Sequence, residues 1–446
     1  MFTEVEVNNF KAFGKAGVNL ALAPLTIVLG ENNSGKTSLL EAIALLAQSP
    51  SHPGTFGFLW KGPLVDLGDG SRAWFQGDKD RWLTIGIGYE GGRPFSQWLR
   101  LNSPGTEDRH PSQFGYRVAH RGATNEWRHE LLIGGHVQAR NELLLTKGDF
   151  RTRSMTQQLS LPSGGVYQSS GNATSILVPE LFLGSPAGGV GTTPAGDAAT
   201  MNECALLVQF LRETMPKHVF FVGADRGPKE EAPQQMPQDD LSVGRKGEHT
   251  FSVASLLFAS SQYARQADRI QYWASEFGMP QFRGGFTRAP VLEAGYVDSA
   301  TGTALTLKWA GYGSQQILPV IVQLFSAPPS SLIMIEEPEI SLHPGAQVSL
   351  VRMFSEAVAS GQQVIITTHS QTLLLALSEA SKSNLTPAEL AVYHMARGSD
   401  GAGATKLSLD GNWSLKGWVP SFSKVEGDLL KKWIASAHDD IAKKER

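Results

Sequence analysis

One stretch constrains this chain more than any other: Leu25-Thr26-Ile27-Val28-Leu29-Gly30-Glu31-Asn32-Asn33-Ser34-Gly35-Lys36-Thr37-Ser38-Leu39-Leu40. An apolar run ends at Gly30, Gly35-Lys36-Thr37 follows, and Leu39 to Leu46 then carries helical spacing. The pattern is G-x4-G-K-[ST] between a buried strand and a helix, the context a phosphate-binding loop requires. The glycines let the backbone curl so that successive N–H groups face a phosphate. The helix that starts at Lys36 adds the positive end of its dipole. On this reading Gly30, Asn32, Asn33, Ser34, Gly35, Lys36, Thr37 and Ser38 hold a nucleoside triphosphate. Lys36 reaches the β- and γ-phosphates and the Thr37 hydroxyl ligates Mg²⁺.

The 446 residues leave room for two or three domains, or for one nucleotide-binding domain with large insertions. A net charge of −3 gives no global signal for nucleic acid, although a local basic patch is compatible with it. Cys204 is the single cysteine, which excludes an internal disulfide framework and a cysteine metal site and fits a reducing cytoplasm. No apolar run approaches the ~20 residues of a membrane span. Glu4, Glu6 and Asn8 stand where a signal peptide is basic and then apolar. A cytoplasmic protein with no membrane partner is expected.

Along the chain, residues 1–50 read as the loop-bearing part of a nucleotide-binding head. Residues 51–195 alternate short β-prone runs with Gly, Asp and Asn turns, as in antiparallel sheet. Trp60, Trp74, Trp82, Trp98 and Trp127 lie here among arginines. Such aromatics serve either to stack on single-stranded nucleic acid or to fill a core. Residues 186–200 read as a flexible loop. Helical patterns at Asn202–Met215 and Val253–Glu276 define a lobe over 196–288, with a strand and turn at 219–228 between them. From 289 to 420 the chain returns to buried Val/Ile/Leu runs broken by helices, the mark of a parallel sheet covered on both faces. Strands near 391–396 and 404–409 read as an edge hairpin, and 421–446 as a C-terminal helix. The fold class is α/β, with a mixed or parallel sheet, an antiparallel β subdomain and an inserted helical lobe.

Three patterns in the C-terminal half carry chemistry. Glu336-Glu337 follow four apolar residues, as the acids at a strand end must in a phosphate-loop enzyme. Glu336 is placed to hold Mg²⁺ and Glu337 to polarise the attacking water. Two adjacent carboxylates there need a nearby cation. His369 ends the next apolar strand, and parallel sheets put ligands at the carboxyl ends of strands, so it is placed to meet the γ-phosphate. His343 either shares the site or only shapes the loop after the acids. Gly311-Tyr312-Gly313-Ser314-Gln315-Gln316 opens a helix. It is either a second anion site, which two copies packed head to tail would require, or a plain helix start with Ser314 as cap.

Together, Asn9-Phe10-Lys11-Ala12-Phe13, Gly30–Ser38, Gly311–Gln316, Ile335–Pro344 and Thr367–Ser370 resemble the ABC-type ATPase heads of the SMC/RecF/OLD group. More narrowly, the chain is similar to the stand-alone AAA-15/AAA-21 type ATPases of bacterial antiphage defence systems. The resemblance implies a P-loop NTPase fold, ATP and Mg²⁺ as ligands, and a composite site that drives dimerisation or higher oligomerisation. It also implies Lys11 near the phosphates and a contact in trans from Gly313 or Ser314. Glu336 replaces the usual Asp, and Gly-Ser-Gln-Gln replaces the usual signature. No Gln-loop residue is assigned, Gln76 being the position considered. Two functions from different classes follow. One is an ATPase that senses or regulates a separate effector, a nuclease or toxin, with no nuclease domain of its own. The alternative is a RecF-like DNA-binding repair or recombination ATPase.

Overall fold

The computed structural model describes residues 1–49, 57–105, 110–145, 154–172, 194–227, 241–288, 291–307, 310–383 and 385–411, with isolated positions at 413, 415–416, 428 and 431–432. Of the expected helix at 421–446 only positions 428 and 431–432 are described, all three helical. In chain order the elements are β1 (Phe2–Asn8), β2 (Val18–Ala21), β3 (Leu25–Gly30), α1 (Lys36–Gln48), β4 (Trp82–Glu90), α2 (Arg93–Asn102), β5 (Gln113–Arg121), β6 (Glu126–Ile133), β7 (His136–Leu145), β8 (Ser154–Ser160) and β9 (Val166–Asn172). There follow α3 (Ala195–His218), β10 (Val219–Val222), α4 (Thr250–Ala259), α5 (Ala264–Glu276), β11 (Arg283–Arg288), β12 (Val291–Val297) and β13 (Ala304–Thr306). The last are α6 (Tyr312–Ser326), β14 (Leu332–Glu336), α7 (Pro344–Ala359), β15 (Gln363–Thr368), α8 (Gln371–Leu375), β16 (Leu390–Gly398), β17 (Gly401–Leu409) and β18 (Leu415–Lys416).

The central sheet runs β10-β14-β15-β3-β16-β17-β18. Its first five strands are parallel, and β17 and β18 turn back antiparallel. Period-two alternation lets each parallel strand feed two cores. Leu332 and Met334 of β14 join one cluster, Ile333 and Ile335 the other. The first cluster also holds α1, α3 and the inner face of a second sheet, β2-β1-β4-β5-β6-β7-β8-β9, all antiparallel. The second holds α4, α5, α6 and α7. The three-stranded sheet β11-β12-β13 lies against α4.

Three sequence expectations differ from this fold. Residues 186–200 were expected as loop from their Gly, Thr and Pro. The helix instead begins at Ala195, because Asp197 in its first turn complements the dipole and accepts from Tyr167 and Ser163. The pattern at Val253–Glu276 is broken at Ser260, whose extended backbone separates α4 from α5. Within 196–288, β10 is a member of the central sheet, pairing with β14 in parallel. Trp60, Trp74 and Trp127 pack with Phe58 and His120, and Trp98 with Phe210, so these four serve the core rather than an open stacking surface.

Candidate nucleotide-binding site

The loop after β3 curls as its glycines allow. Gly35 sits at φ 106°, and a Cβ there would come within 2.9 Å of Ala402 Cβ. A Cβ on Gly30 would collide with the Met395 carbonyl and Ser34 Oγ. Asn33 also takes a left-handed turn, at φ 63°. Lys36, buried, donates to the carbonyls of Gly30 at 3.0 Å and Glu31 at 2.9 Å. Burial pushes its amine below the ordinary lysine range, against the opposing pull of Glu337, Glu339 and Glu336. Ser34 Oγ is buried with no hydrogen-bond partner among the described residues. A curled amide cradle, a buried lysine and an orphaned hydroxyl fit a phosphate chain. Thr37 is exposed at the rim.

A cleft of about 410 Å³ opens on this loop. Asn32, Asn33 and Gly35–Ser38 line it from one end of the chain, Glu337, His369 and Arg397 from the other, with Lys11 and Ala12 alongside. Parallel register explains the meeting: Glu336 pairs with Thr367 across β14 and β15, and Thr368 with Leu29 across β15 and β3. The loop, the acids and the histidine therefore leave the sheet at one level.

Glu337 is held at φ 43°, its N–H donating to the Thr367 carbonyl at 2.9 Å. Its Oε1 lies 3.1 Å from His369 Nε2. Glu339 accepts from the Thr368 hydroxyl at 2.6 Å and the His369 N–H at 2.9 Å, which fixes the histidine's turn. Glu336 is buried beside the cleft, accepting from the Ala224 N–H at 3.3 Å.

The cation that paired acids require comes from residues the sequence did not single out. Arg226 is 3% exposed and donates to the carbonyls of Gly223, Gln316, Glu336 and Glu337 at 2.6–3.0 Å. Gln316 returns a bond to the Arg226 carbonyl. The guanidinium thus ties the end of β14 to the start of α6. Burial lowers it to about 10, with Glu339, Glu336 and Glu337 opposing. Arg245 lies 3.3 Å from Glu41 and 3.9 Å from Glu336. Lys11 pairs with the other oxygen of Glu41, in α1. A chain of ions so runs from the Asn9–Phe13 loop through α1 to the acids. Only the charge-balance argument over Glu336-Glu337 pointed to such partners; nothing in their spacing did.

Ser314 is not the cap of α6. Gly311 holds that place, and Ser314 lies in the first turn. Gly313 packs on the turn after the acids, where a Cβ would come within 2.6 Å of the Ser341 carbonyl. Neither Gly313 nor Ser314 lines the cleft. His343 caps α7 by accepting from the Gly345 N–H at 3.2 Å, a structural task. Gln76 sits in a positive-φ kink beside the bridge between Phe10 and Trp74, exposed and off the cleft. No cluster of three or more His, Cys, Asp or Glu side chains with metal-holding geometry occurs among the described residues, so a divalent ion here would need phosphate oxygens or water besides Thr37 and Glu336. No helix among the described residues is long and apolar enough to cross a membrane.

Two family models match the chain. Residues 1–80 match "AAA ATPase domain", and residues 217–376 match "AAA domain, putative AbiEii toxin, Type IV TA system". The matched segments carry the phosphate loop and the Glu336-Glu337 and His369 strands, which the central sheet joins. No curated protein matches the sequence. Among solved structures, the SMC head bound to the C-winged helix domain of ScpA is similar at 11% identity and TM-score 0.44, over 92% of this chain and 98% of that one. The SMC head domain from Thermotoga maritima is similar at 10% identity and TM-score 0.37, over 92% and 99%. An SMC head with an extended coiled coil bound to the C-terminal domain of ScpA, from Pyrococcus furiosus, is similar at 12% identity and TM-score 0.45, over 91% and 96%.

Proposed function

We propose that this P-loop ATPase of the AAA, ABC/SMC-like type hydrolyses ATP at sites completed between two copies of the chain. Closing and opening of that pair would regulate a separate effector, a nuclease or toxin, in antiphage defence. The observation that carries the composite site is the division of its parts. Loop, acid and histidine line one cleft, whereas Gly313 and Ser314 start a helix outside it. Tyr312 beside them is 63% exposed. A helix start with free amides and an exposed aromatic, set outside the chain's own cleft, suits a partner's nucleotide.

In this reading Lys36 leaves its carbonyl partners for the β- and γ-phosphate oxygens. Glu337 orients the attacking water and accepts its proton, and His369 holds the γ-phosphate side of the cleft. Mg²⁺, held by Thr37 and Glu336, would neutralise charge on the phosphates. The second family description names a putative toxin of a toxin–antitoxin system, which is compatible with a place in such a system. Core placement of four tryptophans weakens the single-strand stacking reading. The test is Glu337→Gln. It should bind ATP, fail to turn it over and accumulate as a dimer or larger assembly in light scattering; a variant that stays monomeric with ATP bound contradicts the composite site. The wild-type protein alone should leave DNA intact, and cleavage by the purified chain would contradict a separate effector.

A further inference from the structure

The cleft holds three basic side chains, and two of them are engaged. Lys36 is bonded to loop carbonyls and Lys11 to Glu41. The third is Arg397, exposed, with no hydrogen bond or ion pair to its guanidinium among the described residues. Its position follows from register. On β16, Met395 lies opposite Gly30 of β3. Arg397 is two residues further on, and side chains two apart share a face, so it continues past Met395, whose sulfur abuts Gly35. The strand end is also rigidly mounted. The hairpin of β16 and β17 is clasped by the Asn9–Gly14 loop: Ala402 N–H donates to the Ala12 carbonyl at 2.8 Å. The two meet so closely that a Cβ on Gly14 would strike the Asp400 carbonyl and one on Gly401 the Gly14 nitrogen.

We propose that Arg397 is a phosphate-binding residue of the nucleotide site, supplied by the β16–β17 hairpin. An unpaired guanidinium on a fixed strand, facing a polar cleft, matches a phosphate's paired oxygens. The class of ligand is the polyphosphate of a nucleotide, independent of its base. The inference rests on the nucleotide-binding reading above.

The experiment measures Kd for magnesium complexes of fluorescent ATP and GTP analogues with the full chain, for wild type, Arg397→Ala, Arg397→Lys and Lys36→Ala, with melting temperature read on the same samples. Arg397→Ala should weaken both nucleotides by about tenfold, the scale of one charge-assisted contact. Its melting temperature without nucleotide should stay at the wild-type value, because the side chain is exposed, and Arg397→Lys should recover part of the loss. Affinities for Arg397→Ala within threefold of wild type would overturn the proposal. So would a loss confined to one base, which would make Arg397 a base reader. Weak binding by wild type and Lys36→Ala alike would instead remove the nucleotide-binding reading itself.

Discussion

At the scale of single residues, buried polar groups decide the chemistry. Glu336 and Glu337 stand together with cations around them: Arg226 holds both their backbone carbonyls, and Arg245 lies 3.9 Å from the Glu336 carboxylate. Lys36, Glu337 and His369 were legible, since motif spacing and strand ends fix their places. Arg226, Arg245, Glu41 and Arg397 were not, because each meets its neighbours only across the fold, Arg245 and Glu41 being 204 positions apart in the chain. His120 gives a residue-scale prediction. It stacks on Trp127 with ring centroids 3.7 Å apart, and its Nε2 faces Asn125 Oδ1. Burial lowers its pKa to about 4, Lys79 adding to the effect and Asn125 opposing it. The unfolded chain, with an ordinary histidine, takes up the proton first as pH falls. The stability due to neutral His120 is therefore complete above about pH 6.5 and is drained as pH falls towards about 4, by on the order of 3 kcal/mol. His120→Phe keeps the stack and removes the proton. Urea titrations across that window should show wild type losing more stability than the variant; parallel losses would contradict the assignment.

At the scale of elements, period-two alternation made the central strands readable, and helical spacing made α1 readable. Capping and tertiary bonds did not show in the sequence. Gln48, the last residue of α1, is buried and pins the chain that follows. Its amide donates to the carbonyls of Leu59 and Val65 and accepts from the N–H groups of Leu64 and Val65. The glutamine fastens that segment to the helix that carries the phosphate loop. Gln48→Ala would leave buried backbone groups without partners and should cost about 2–4 kcal/mol of folding stability, measured by urea unfolding. A loss below about 0.5 kcal/mol, the scale of an ordinary surface change, would contradict a pinning role.

At the scale of the whole molecule, the fold joins the chain's two ends at one cleft and leaves the start of α6 outside it. In the proposed assembly α6 of one copy completes the site of another. Lys36→Ala breaks the phosphate loop of a copy, and Ser314→Arg breaks the helix start it offers to its partner. Each variant alone should lack ATPase activity. In a head-to-tail pair of the two, one site carries both lesions and the other carries none. Mixing equal amounts should therefore restore about a quarter of wild-type activity, from random pairing of two-fold partners. A mixture no more active than the mean of the two variants, under conditions where they associate, would contradict a site shared between copies.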